Sequence, residues 1–284
     1  MKVSLITACY NSANTIKTAI ESVLEQKGVE IEYIVVDGGS SDGTVDIIKE
    51  YANKTSDYRL TTDDFTFRWI SERDSGMYDA INKGIRMATG DVVGILNADD
   101  MFESEDTLAH IVDCFGRVVA VAEAMAAEER VETCRDGGRV DAVYADIRFV
   151  KDDLQTTSRY YSAKRWKPWM LQWGKMPPHP SVYISRELFD KLGFYKLGYD
   201  IAADYELLIR YLRKAEIRTR YLNECVVRMR MGGKSTRGWK SFMTLNREIV
   251  RGNRENGYFC CFPMLMPKYL FKIFEFILPK LGIK

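Results

Sequence analysis

Apolar residues in the first hundred positions alternate between two periods. Residues 3–9 (VSLITAC) make a short, mostly apolar run, the mark of a strand. Asn11-Ser12-Ala13-Asn14 then supplies helix caps, and Ile16, Ala19, Ile20, Val23 and Leu24 fall on one helical stripe. The cycle repeats. "IEYIVVD" is a strand, "GGSSDGT" a tight loop, and Val45, Ile47, Ile48 and Tyr51 the apolar side of the next helix. "FRWISE" is a third strand, "MYDAINKGIRMA" a helix stopped at Gly90, and "VVGIL" a fourth strand. Strands alternating with helices of this length predict βαβ units and a mixed, mainly parallel α/β sheet. In such sheets ligands bind beyond the carboxyl ends of the strands. Asn11, Asp37, Glu72 and Asp99 all stand just past such ends.

The pattern changes after residue 116. Residues 117–140 are rich in strong helix formers, with Gly137-Gly138 as a stop, and predict an inserted surface helix. Strand character returns at "VDAVYADIRFV". An aromatic-rich irregular stretch follows from Lys151. A helix is expected at residues 205–214 and a strand at 225–231. The tail, residues 257–284, carries "KYLFKIFEFILPK", too short to span a bilayer but suited to lie in its interface. The alternative is a terminal helix docked on the core.

Length and charge narrow the partners. The 284 residues, 46% hydrophobic, suffice for one large α/β domain with an appendage. Residues 205–284 hold 17 Lys and Arg against 6 Asp and Glu, a net of +11. The chain's total of +1 therefore leaves −10 for residues 1–204. The basic back half suits an anionic partner, while the acidic front half argues against nucleic acid. Six cysteines without zinc spacing point to a reducing compartment. The N-terminus reads as a strand rather than a signal peptide.

The candidate chemistry begins at Asn97-Ala98-Asp99-Asp100, where a buried strand ends in two adjacent carboxylates. Hard cations such as Mg²⁺ and Mn²⁺ take one or two carboxylates together with phosphates and water. A solvated turn is the alternative. Asp37, ending the second strand, can accept the N3–H of uracil or thymine, or the N1–H and amino group of guanine. It can equally close an Asx-turn. Arg230 and Lys234, at the end of a strand and in the Gly-Gly turn after it, suit a diphosphate or a solvated strand face.

In order, "SLITACYN…YIVVDGGSSDGT…SERDSGMYDAINKGIRMATGDVVGILNADD" resembles the family 2 glycosyltransferases. The likeness is to bacterial enzymes building O-antigen, capsule and colanic-acid repeats. It runs from Lys2 to about Asp113 and resumes at about residues 140–235. It implies the GT-A (nucleotide-diphospho-sugar transferase, Rossmann-like) fold over residues 1–256. Residues 1–113 would be the nucleotide-sugar half, 114–140 a helical insertion and 141–256 the acceptor and catalytic half. Residues 257–284 would be an amphipathic membrane-associating tail.

Roles follow from the resemblance. Thr7, Ala8, Tyr10 and Asn11 would line the nucleotide pocket and Asp37 would hold the base. Glu72 and Asp74 would border that pocket, with Asn82 and Lys83 on the helix behind it. Asn97, Ala98 and Asp99 would face the donor. Asp100 would be the chief ligand of Mn²⁺ or Mg²⁺, with Asp99 reaching metal or ribose. Many members have Asp where this chain has Asn97, so Asn97 suits hydrogen bonding better than ligation. His179 would lie near metal or acceptor. Asp204 matches the general base at the start of a helix, with Glu206 as fallback; an N-cap is its alternative role.

The expectation is an inverting, metal-dependent, non-processive glycosyltransferase. It would use a nucleotide-diphospho-sugar, UDP-linked, and a polyprenyl-diphosphate-linked saccharide acceptor. It would sit in the cytoplasm against the inner face of the bacterial inner membrane; a homodimer is compatible with the sequence. A non-catalytic nucleotide-sugar-binding scaffold and a nucleotidyltransferase of the same fold are the rival readings.

Overall fold

The computed structural model describes residues 1–57, 64–116, 131–132, 139–231 and 238–269. Lys234, most of the expected insertion at 114–140 and residues 270–284 of the tail lie outside them. The chain divides into two units. Unit 1 is Met1–Lys164, Pro177–Tyr195 and Ile217–Met231; unit 2 is Arg165–Met176, Lys196–Glu216 and Gly232–Lys284. Unit 2 therefore draws two whole segments, and the start of a third, from the expected catalytic half.

Unit 1 opens as β1 (Lys2–Cys9), α1 (Ile16–Leu24), β2 (Glu30–Asp37), α2 (Thr44–Asp57), β3 (Phe65–Ser71), α3 (Met77–Met87) and β4 (Val92–Ile95). β5 (Met101–Phe102), α4 (Thr107–Gly116), β6 (Val131–Glu132), β7 (Ala142–Val150), β8 (Thr157–Tyr161), β9 (Tyr183–Ser185), α5 (Glu187–Leu192) and β10 (Thr219–Arg230) follow. The strand order is β3-β2-β1-β4-β9-β7-β10-β5, with β8 on β7 and β6 on β10. β3, β2, β1 and β4 are mutually parallel, and β9 enters antiparallel between β4 and β7. This is the mixed, mainly parallel sheet expected.

The apolar stripe of α1 explains its packing. Ile16, Ala19, Ile20 and Val23 are at most 1% exposed, and join Val3, Leu5 and Val35 in the core. The Ile, Leu and Val side chains among them each contribute roughly 1.5–3 kcal/mol on burial. Leu24, the last of the expected stripe, is instead exposed. On the sheet's other side α3 approaches β1 so closely that a methyl at Gly84 would lie 2.5 Å from Ile6 Cγ2.

Register then builds the site. Cys9 pairs with Asp37 and Asp37 with Ser71, so β1, β2 and β3 end level. β4 stops because residues 97–100 form a turn closed by Asp100 N–H to Asn97 C=O, 3.1 Å. The chain re-enters the sheet as β5, where Met101 and Phe102 pair with Arg228 and Val227 of β10. The expected strand at 225–231 is the end of a longer one. Bulges between Leu222 and Val227 break its alternation, which hid the first half.

Unit 2 contains a 3₁₀ turn at Pro168–Trp173, α6 (Ala203–Leu208) continuing as a π-helix over Ile209–Lys214, α7 (Gly238–Glu255) and a 3₁₀ turn at Phe262–Leu265. The expected helix at 205–214 thus starts two residues earlier and widens after Leu208. Among the described residues no helix is long and apolar enough to cross a membrane.

Candidate active site

The β1–α1 and β2–α2 loops are stitched together by short polar side chains. Asn11 adopts φ +49°, a left-handed conformation that Asn tolerates. Its N–H donates to Ser40 Oγ at 2.7 Å, and its Oδ1 accepts from Ser41 N–H at 3.0 Å. Ser12 N–H reaches Thr44 Oγ1 at 2.8 Å, and Ala13 N–H reaches Asp42 Oδ2 at 3.0 Å. Ser40 and Asp42 look like ordinary turn residues in the sequence, yet both cross-link the loops. Tyr10 stands 64% exposed beside them and Ala8 is half-buried.

Asp37 does not present its carboxylate as the sequence suggests. It is wholly buried. Oδ2 accepts from Gly39 N–H (3.0 Å), Ser40 N–H (3.0 Å) and Ser71 Oγ (2.7 Å), while Oδ1 takes the Ser40 hydroxyl. Burial alone would raise its pKa, but the Ser40 and Ser71 hydrogen bonds and the loop amides outweigh it and hold the group below its ordinary value. Asp37 is therefore the ionised post around which the loop folds, the Asx-turn alternative. Beside it, burial pushes the Cys9 thiol up, with Asp37 adding to the effect. A methyl on Gly38 would lie 2.5 Å from Asp74 Oδ2, so the half-buried Asp74 carboxylate sits over this loop. Asp74 also accepts Gly76 N–H at 2.8 Å.

Four further expectations change on inspection. Thr7 is fully buried; its hydroxyl donates to Leu96 C=O at 2.8 Å and accepts from Tyr33 Oη at 3.0 Å, so it ties strands rather than lining a pocket. Asn82, 2% exposed, spends its amide on the backbone of Tyr195, donating to C=O at 2.8 Å and accepting N–H at 3.0 Å. Tyr195 in turn stacks on Tyr78 and places its hydroxyl 2.7 Å from His179 Nε2. Among the described residues no three metal-capable side chains converge, so His179 is not grouped with Asp99 and Asp100 as a third ligand. Lys83 pairs with exposed Glu72 at 2.8 Å and donates to Arg73 C=O, fastening the β3–α3 loop.

The turn after β4 holds the strongest electrostatic feature. Asp100 is 1% exposed, with Oδ2 accepting the Asn97 amide at 2.7 Å. Oδ1 is buried without any hydrogen-bond donor. Burial first, and then the neighbouring Asp99, raise the Asp100 carboxyl well above its usual range; Asn97 and Arg230 oppose them only in part. Asn97 thus bonds rather than ligates, and Ala98 packs into the core. Arg230, delivered by the β5–β10 pairing, donates from Nε to Asp99 C=O at 3.2 Å and from its terminal nitrogen to Thr18 Oγ1 at 3.2 Å. A buried orphan carboxyl oxygen beside a second, half-buried carboxylate is a hard oxygen donor set. It fits a divalent cation whose remaining ligands come from phosphate and water.

In unit 2, Asp204 lies in the first turn of α6, half-buried, with Tyr205 N–H donating to its Oδ1 at 2.8 Å. It is not the cap. Ala202 holds that position, and the amides of Asp200, Ile201 and Ala202 all donate to Glu248 of α7 at 2.7–2.9 Å. Glu206, the fallback base, is fully buried and consumed by Arg210, Lys196 and Asn256.

Comparison with known proteins identifies the family and the fold. The family model described as glycosyl transferase family 2 matches residues 4–170. A PGL/p-HBAD biosynthesis glycosyltransferase of Mycobacterium bovis is 27% identical over 225 residues, 78% of this chain and 74% of the relative. A second mycobacterial glycosyltransferase, from Mycobacterium tuberculosis, is 29% identical over 73% of this chain and 68% of its own length. Staphylococcus aureus TarS 1–349 in complex with UDP-GlcNAc superposes with TM-score 0.59 at 18% identity, over 89% of this chain and 66% of that one. The mannosyltransferase PcManGT of Pyrobaculum calidifontis, in complex with GDP-Man and Mn²⁺, gives TM-score 0.59 at 22%, over 89% of this chain and 63% of that one. This chain thus spans about two thirds of those solved chains, and at such identities the likeness is one of fold, the GT-A fold. With the family model covering more than half of its length, the chain belongs to glycosyl transferase family 2.

Proposed function

We propose that the protein is an inverting glycosyltransferase that moves one sugar from a nucleotide-diphospho-sugar, UDP-linked, to a polyprenyl-diphosphate-linked saccharide. The observation that carries the reading is the orphaned, buried Oδ1 of Asp100 beside Asp99, at the carboxyl end of β4. Asp99 and Asp100 would hold Mn²⁺ or Mg²⁺. When bound, that ion would neutralise charge on the departing diphosphate. The stitched β1–α1 and β2–α2 loops give a rigid rim for the nucleotide, and exposed Tyr10 offers a ring for stacking. Arg230, held against Asp99 and Thr18, supplies fixed positive charge for the donor's phosphates.

Asp204 is the base in this reading. It takes the proton of the acceptor hydroxyl as that oxygen bonds to the anomeric carbon, while the bond to the nucleoside diphosphate breaks on the opposite face. Support comes from its place in the first turn of α6, where the carboxylate is half-buried rather than enclosed. The basic back half suits an anionic membrane face, where a lipid-linked acceptor resides. The test is a donor screen with Mn²⁺, reading slow hydrolysis of each nucleotide sugar. UDP-sugars should be cleaved, and metal removal should stop it. Hydrolysis of none would sink the reading.

A further inference from the structure

Three large aromatic side chains on two loops of unit 2 remain outside any core: Trp169 is 55% exposed, Trp173 42% and Phe259 70%. Scattered exposed apolar residues need no explanation, but a cluster does. These three belong to two loops that are bound to each other. Gln172 Nε2 donates to Phe259 C=O at 2.6 Å. Arg213 donates to Trp169 C=O at 3.3 Å and to Gln172 Oε1 at 2.7 Å. Its guanidinium lies 4.0 Å over the ring of Tyr258, whose hydroxyl donates back to Arg213 C=O at 3.1 Å. The inward positions of the same loops are filled, since Leu171, Cys260 and Leu265 are fully buried. The outward aromatics are therefore presented by well-packed backbone.

The charge on these two loops has one sign. Arg165–Met176 carries Arg165, Lys167 and Lys175 and no acidic residue. Lys214 is exposed at the end of the π-helix. Lys268 lies across Gly174, where an added methyl would be 3.1 Å from its Nζ. Aromatic rings that reach out among cations match the headgroup level of an anionic bilayer, where Trp is favoured and each basic residue adds attraction.

We propose that this face of unit 2 docks on an anionic phospholipid surface, with Trp169, Trp173 and Phe259 entering the headgroup layer. The proposal rests on the reading that the acceptor is lipid-linked, but it uses none of residues 270–284. The test is flotation of the full chain with phosphatidylcholine vesicles, with and without phosphatidylglycerol. The wild type should float only with the anionic vesicles, and less as salt rises. The variant Trp169→Ser, Trp173→Ser, Phe259→Ser should bind about tenfold or more weakly. Its melting temperature should be unchanged, because the three residues are exposed. A tail variant, Phe271→Ser, Phe274→Ser, Phe276→Ser, should keep most of the binding. Equal binding by wild type and the triple variant overturns the proposal, as does a wild type that floats with neither vesicle. Self-association lost in the triple variant would assign the face to a second copy and overturn it too. The lipid-linked acceptor is judged separately, by transfer to a detergent-dispersed polyprenyl-diphosphate saccharide.

Discussion

Asn97 donates its side-chain amide to Asp100 Oδ2 at 2.7 Å, while the other oxygen of that buried carboxylate has no donor. Asn97 thus satisfies one oxygen, and the other is the one that a cation would engage in the proposed reaction. Replacing Asp100 with Asn removes a buried charge that burial and Asp99 both oppose. The apo-protein should melt at a higher temperature than wild type. Mn²⁺ should raise the melting temperature of the wild type and not that of the variant. A variant that responds to Mn²⁺ like wild type places the cation elsewhere.

The Asp37 carboxylate organises the β2–α2 loop through Gly39, Ser40 and Ser71. Asp37→Ala leaves those donors buried or idle and should cost about 2–4 kcal/mol of stability. Donor affinity should fall with it, through loosening of the rim. The depressed pKa gives the pH sign. The contribution is complete above the ordinary carboxylate range and is lost as pH falls through the lower folded-state value. Urea melts at neutral and acid pH measure this. A variant as stable as wild type at pH 7 would remove Asp37 from this role.

Asp204→Asn and Glu248→Ala test chemistry and architecture separately. Glu248 receives three backbone N–H groups ahead of α6, so Glu248→Ala should destabilise the protein by about 2–4 kcal/mol. Asp204→Asn keeps shape and loses basicity. Its stability should stay within about 0.5 kcal/mol of wild type. Its kcat should fall roughly 10²–10⁴-fold with nucleotide binding retained. Large destabilisation by Asp204→Asn, with little loss of kcat in the folded fraction, would return Asp204 to a structural role.

The sequence made the β1–β4 half legible because its apolar periods are clean: strands with both faces buried read as runs, and α1 as a stripe. The position of the site followed, since parallel strands end together and residues 97–100 stand at such an end. Side-chain roles were less legible. A carboxylate at a strand end can face a ligand or its own loop, and register with Ser71 turned Asp37 inward. Asn82 went to Tyr195, 113 residues away, a contact no local pattern announces. α7 escaped for another reason. Its buried face includes Asn246, Glu248 and Asn253, and these polar side chains interrupt the helical stripe of Phe242, Met243, Ile249 and Val250.

Unit 2 should carry a distinct acid sensitivity. Glu206 is fully buried and bonded to Arg210 (3.0 Å), Lys196 (3.0 Å) and Asn256 (3.0 Å). Burial opposes its charge, but these partners win and its pKa is lowered. Glu255 accepts from Arg251 (2.6 Å), Lys196 (2.9 Å) and Tyr199 (3.0 Å), and is lowered to about 2 against its own burial. Both groups have folded values below unfolded ones. Their stabilisation is complete above the ordinary Glu range and is lost as pH falls from there towards about 2. The melting temperature should therefore drop steeply through that window. Glu206→Gln leaves Arg210 and Lys196 without their buried counter-ion and should cost about 3–5 kcal/mol at pH 7. Its acid limb should be shallower than the wild type's, because one of the titrating carboxylates is gone. Parallel acid limbs in the two proteins would show that Glu206 does not titrate in this window.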